Sequence, residues 1–72
     1  MNDQAVYEIL VMGILSERWA EWFEGMSIRQ EQRDGAQVTQ ILGQVRDQPC
    51  LMGMLQTLTN LGLPILLVKR LE

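Results

Sequence analysis

The sequence contains no histidine and a single cysteine, Cys50. These two absences exclude an intrachain disulfide and leave a zinc or haem site without its usual ligands. They also leave Cys50 without the imidazole that commonly activates a thiol, so its place near a helix start does not make it a nucleophile. Basic residues are scarce as well: six against nine acidic ones give a net charge of -3 and a pI near 4.7. A nucleic-acid binder gathers basic residues on one face, and here Lys69 and Arg70 are the only adjacent pair. No apolar run approaches the ~20 residues that span a bilayer. The longest, ILVMGIL at residues 9–15, stops far short, and the opening MNDQAVYEIL lacks the positive region of a secretory signal. Two prolines and a 47% hydrophobic content argue against disorder. The expectation is a cytoplasmic protein with no cofactor and no metal, binding neither nucleic acid nor membrane.

Seventy-two residues read as one domain, residues 1–72. A domain of this size buries only about 60% of its unfolded surface, which leaves stability marginal. Small domains usually add disulfides, metals or oligomerisation. With the first two excluded, oligomerisation is the device left.

The stretch AVYEILVMGIL, residues 5–15, is rich in β-branched residues and apolar on both alternating sides, the pattern of a strand buried on two faces. In SERWAEWFEG, Ser16 suits an N-cap, and Trp19, Trp22 and Phe23 fall at helical spacing before Gly25, which predicts a helix of about two turns. Asp34-Gly35 tolerates the positive φ of a tight hairpin turn between two polar-faced runs. On the first run, Arg29, Glu31 and Arg33 face away from Ile28, as expected near a sheet edge. The second run, with Thr39, Ile41 and Val45 on one face, reads as more central. A second helix starts at Asp47 as N-cap with Pro49 in its first turn, carries an apolar stripe of Leu51, Met54, Leu55, Leu58 and Leu61, and ends at Gly62. Gly53 inside it costs about 1 kcal/mol relative to alanine, which predicts a close approach to a strand or a neighbouring chain. Pro64 stops the helix and ILLVKRL follows as the last strand.

The order βαββαβ predicts an α+β fold, the ferredoxin-like two-layer sandwich: a four-stranded antiparallel sheet with both helices on one face. Helices on one face leave the other uncovered, yet strands one and four look apolar on both. A second copy of the chain is the simplest cover, so the expectation is a homodimer or a larger ring. Its interface residues are predicted as Leu10, Met12 and Ile14 from strand one and Leu66 and Val68 from strand four, with Trp19 and Trp22 reaching a subunit boundary. The alternative parity of strand four would present Ile65 and Leu67.

The segment from Gly43 to Arg70 resembles a group of small uncharacterised bacterial proteins with the pattern G-x-V-x-D-Q-x-x-L-x-G-x-L-x-x-L-x-x-L-G-L-P-x-L-x-V-x-R, and WFEGM at residues 22–26 looks like a second shared segment. Relatives often carry Ala-Ala after Asp-Gln and a histidine before the helical glycine, where this chain has Pro49, Cys50 and Met52. The resemblance implies no activity. A looser, topological similarity to ACT-type ligand-binding modules implies a small-molecule-binding regulatory module with a pocket between sheet and aromatic helix, and topology alone does not carry function.

The remaining side chains favour structural roles. Trp19, Trp22 and Phe23 serve best as anchors of a short helix on the sheet, with a ligand platform as the sharper alternative. Met12, Met26, Met52 and Met54 read as core filling before they read as an adaptable pocket. Glu17, Glu21 and Glu24 are spaced to share one solvated helix face rather than hold a metal. With isolated carboxylates and a lone thiol, acid/base or nucleophilic chemistry lacks partners. The expected function is therefore a structural or interaction module that self-associates through the open face of its sheet, not an enzyme.

Overall fold

The computed structural model describes residues 4–23 and 25–71. Its elements are β1 (Ala5–Met12), a 3-10 turn (Glu17–Ala20), β2 (Ser27–Arg33), β3 (Ala36–Val45), α1 (Gln48–Asn60) and β4 (Ile65–Arg70). The four strands form one sheet in the order β2-β3-β1-β4, with each neighbouring pair antiparallel. β1 and β3 are central, and β2 and β4 are the edges.

Where the local chemistry is strong, the elements follow it. β2 and β3 join through Asp34 (φ 52°) and Gly35 (φ 81°), the two positive-φ positions of a two-residue hairpin turn. Asp47 accepts the Cys50 N–H at 2.9 Å and caps α1, with Pro49 in the first turn. The other end closes as a Schellman motif. Gly62 (φ 81°) donates to the Thr59 carbonyl at 3.0 Å and Leu63 donates to the Leu58 carbonyl at 3.1 Å.

The two-helix ferredoxin-like sandwich expected from the element order is not formed. Its first helix is replaced by a single 3-10 turn, so the fold is a four-stranded antiparallel sheet with one α-helix. Helix initiation fixes several residues before the hydrogen bonds repay it, and a segment this short relies on burying an apolar face. None of Glu17–Ala20 is buried. The backbone instead passes through mixed turns, with Trp19 N–H bonded to the Ser16 carbonyl, Phe23 to Trp19 and Gly25 to Ala20. Phe23, beyond the turn, is buried in the core, and Trp19 packs against it only half-buried. Glu17 and Glu21 are exposed, while Glu24 lies outside the described residues.

Strand β1 also ends earlier than its apolar run. Gly13 (φ 102°) turns the chain after Met12, so Ile14 lies beyond the strand. Up to that point, Ala5, Tyr7, Ile9 and Val11 face α1 and pack with Ile41, Val45, Leu51, Met54 and Leu58. Ile9, Val11, Ile41 and Leu58 are fully enclosed. Gly43 has a packing reason: a Cβ there would stand 2.6 Å from Met26 Sδ and 3.2 Å from Met26 Cα. Met26 and Met54 fill the core, whereas Met12 and Met52 are exposed.

Candidate functional site

Two surfaces stand out, one along an edge of the sheet and one at an end of it. The first is β4. After the Pro64 carbonyl accepts the Met12 N–H at 2.8 Å, β4 pairs along β1 with one irregularity: Val11 opposes Ile65 while Leu10 opposes Leu67. Leu66 is thus an inserted bulge residue, and the simple parity that groups Leu66 with Val68 does not hold across it. Leu66, Leu67 and Val68 are 49%, 38% and 40% exposed, and Leu71 just past the strand is exposed too. The other edge is built differently. β2 presents Arg29, Gln30, Glu31, Gln32 and Arg33, with an Arg33–Glu31 ion pair at 3.0 Å. Charged side chains of this kind blunt a sheet edge against further strands, and in β4 only its last two residues, Lys69 and Arg70, are charged.

The predicted interface residues divide between these places. Met12, Ile14, Leu66 and Val68 are exposed. Leu10 is not: it lies opposite Gln40 and Leu67 on the face without α1, yet is only 5% exposed. The side chains around it, including a Gln40 to Glu8 hydrogen bond of 2.8 Å, close over it, so this face partly covers itself. Trp19 and Trp22 belong to the connection that packs near β2 and are not brought to β4. Sequence reading offered Leu67 only under the alternative parity and did not name Leu71; the lack of polar alternation from Ile65 to Val68 was the signal that both parities could be exposed.

The second surface is a cleft of about 620 Å³ between the turn after Ala20, the first half of α1 and one end of the sheet. Trp22 and Phe23 wall it, with ring centroids 4.9 Å apart and planes at 89°. Phe23 is buried, Trp19 half-buried and Trp22 53% exposed, so one ring anchors the segment and another remains open. Arg46 lies at the rim, its Nε 3.8 Å from Asp47 Oδ2, while the other Asp47 oxygen is held by the helix cap. Gln44 donates to Gln4 Oε1 at 3.2 Å beside it. On the α1 side are Cys50, Gly53 and Met54. A Cβ built on Gly53 would meet nothing within 4 Å. The close approach of a strand expected at Gly53 is therefore absent, and the glycine faces the open cleft. Its mid-helix position and the aromatic spacing of Trp22 and Phe23 were the sequence signals for this site.

Among the described residues, no group of three or more His, Cys, Asp or Glu side chains is placed to hold a metal ion. No described helix is long and apolar enough to cross a membrane. Residues 6–69 match a family described as a domain of unknown function (DUF8691). The chain belongs to this family. The matched span runs from β1 through nearly all of β4, so it takes in both the apolar edge and the cleft. No curated protein and no solved structure matches the chain.

Proposed function

We propose that this DUF8691 member is a self-associating interaction module rather than an enzyme, and that it assembles through β4 and the adjoining open face of the sheet. The observation that carries the reading is the unprotected edge: Leu66, Leu67 and Val68 are consecutive, apolar and each 38% exposed or more, on a strand with a single neighbour. An exposed apolar edge is a template for pairing, and natural monomers avoid it. Burial of such side chains at roughly 1.5–3 kcal/mol each would supplement a core that is small for a stable domain, less the cost of association. A cytoplasmic setting goes with this proposal, since the single thiol calls for no oxidising compartment. Multi-angle light scattering tests it. The expected result is a mass at or above twice 8.3 kDa at micromolar concentration, falling to one chain in Leu67→Asp with the fold retained. A monomer in the unchanged protein refutes it.

A second reading, a small-molecule-binding module, is favoured by the cleft, where a helical glycine faces open space beside an exposed indole. Its volume of about 620 Å³ falls within the range of ligand sites. A thermal-shift screen of amino acids, nucleotides and flavins separates the readings: saturable stabilisation by one of them supports ligand binding, and its absence leaves association as the function.

A further inference from the structure

The edge strand permits a more specific statement, which rests on the self-association reading above. We infer that two copies join by antiparallel pairing of β4 with β4 about a two-fold axis near Val68, merging two four-stranded sheets into one of eight strands.

Backbone direction is the first support. In an antiparallel ladder, alternate residues exchange both hydrogen bonds with the partner strand while the residues between them point their N–H and C=O groups the other way. The bond from Leu71 N–H to the Val6 carbonyl, 2.7 Å, sets that phase for β4 against β1. Lys69 and Leu67, opposite Glu8 and Leu10, fall in phase with Leu71 and turn their peptide groups toward β1. Val68 falls between them and turns its own outward, along an edge that has no further strand among the described residues. The bulge at Leu66 restricts regular pairing to the part of β4 that follows it.

Side-chain placement then selects the occupant. The edge is apolar at its centre and basic only at one end, Lys69 and Arg70. Parallel pairing of two copies would set Lys69 against Lys69 and Arg70 against Arg70, and like charges directly opposite destabilise a sheet. Antiparallel pairing centred on Val68 sets Val68 against its own copy and Lys69 against Leu67. The basic residues then sit at the two ends of the contact, and the lysine stems lie over leucine. An acidic peptide would find cations at only one end and four uncharged residues, Ile65 to Val68, along the rest. The same apolar surface is what a second copy supplies. Joining the exposed parts of Leu66, Leu67, Val68 and Leu71 from two chains buries roughly 600 Å² in total, a small interface that depends on the backbone hydrogen bonds of the paired edges as well as on apolar contact. Because the axis stands perpendicular to the sheet, the two α1 helices remain on one side.

The test uses the full chain with Cys50→Ser and a single new cysteine. Val68→Cys is expected to form an interchain disulfide readily under mild oxidation, since directly opposed strand residues lie within disulfide reach. Gln32→Cys on the β2 edge is expected to stay uncrosslinked. Val68→Lys, with the fold checked by circular dichroism, is expected to weaken the dimer about tenfold or more, because two lysines would then face each other. Light scattering on the unchanged protein separates the two levels. A monomer there overturns the self-association reading and this inference with it. A dimer whose Val68→Cys form does not crosslink, or whose Val68→Lys form keeps its affinity, overturns the β4 pairing and leaves self-association through another surface.

Discussion

The hydroxyl of Thr39 on β3 donates to the carbonyl of Gly13 at 2.8 Å, tying the middle of the sheet to the turn that ends β1. The same oxygen accepts the Leu15 N–H at 3.1 Å, and Thr39 is fully buried. One side chain therefore satisfies two backbone groups of a glycine-directed turn, and Leu15 is held in the core as a result.

Replacing Thr39 by valine keeps the shape and removes both bonds. A buried group left without its partner costs about 1–3 kcal/mol, so Thr39→Val is expected to lose roughly 2–3 kcal/mol in urea denaturation. Thr39→Ser, which keeps the oxygen, is expected to lose less. Equal stability of wild type and Thr39→Val would show that the turn does not depend on this hydroxyl.

Gly43→Ala places a methyl against Met26, whose sulfur can move but whose Cα cannot without shifting the start of β2. Overpacking of this kind costs about 1–3 kcal/mol. The expected readout is a lower midpoint of thermal unfolding, partly restored when Met26 is shortened to leucine.

Gly53 and Gly62 are expected to respond to alanine with opposite signs. Gly53 has helical neighbours, ordinary backbone angles and free space for a Cβ, so Gly53→Ala should stabilise by up to about 1 kcal/mol through helix propensity. Gly62 sits at φ 81°, a conformation that strains an L side chain, so Gly62→Ala should destabilise by about 1 kcal/mol. Chemical denaturation of the pair checks both signs in one experiment.

Gly53→Leu separates the cleft from the edge. A leucine there fills space beside Trp22 and Met54 and leaves β4 untouched. The expected outcome is an unchanged mass in light scattering together with loss of any saturable ligand stabilisation seen in the wild type. A reduced mass would show that the cleft is itself a contact between copies.

Much of the fold was legible because several signals act locally. The Asp34-Gly35 hairpin, the Asp47 cap with Pro49 behind it, and the Gly62 stop each depend on the conformational preference of one or two residues. They hold whatever surrounds them. The strand order with β1 and β3 at the centre could be read from the polar pattern of β2 against the apolar pattern of β1. The candidate surfaces were only half legible. Apolar residues in β4 announced an uncovered surface, but Leu10 could not be told from its exposed neighbours. Its burial depends on Gln40, Glu8 and Leu67, which come from three strands.

By itself, then, the sequence determined the elements whose causes are local: turn glycines, caps, the long helix and an acidic, histidine-free composition with a single cysteine. Tertiary structure decided what depends on a partner surface. The segment after Ser16 has helical spacing of its aromatics but is a 3-10 turn, because within Glu17–Ala20 only Trp19 packs against the core, and none of the four residues is fully buried. β4 is apolar from Ile65 to Val68 but has a broken parity, because pairing with β1 inserts Leu66 as a bulge. Gly53 carries a helix penalty that no contact among the described residues explains, because the space it faces is bounded by the aromatic turn and the end of the sheet, elements distant in sequence that only the folded chain brings together.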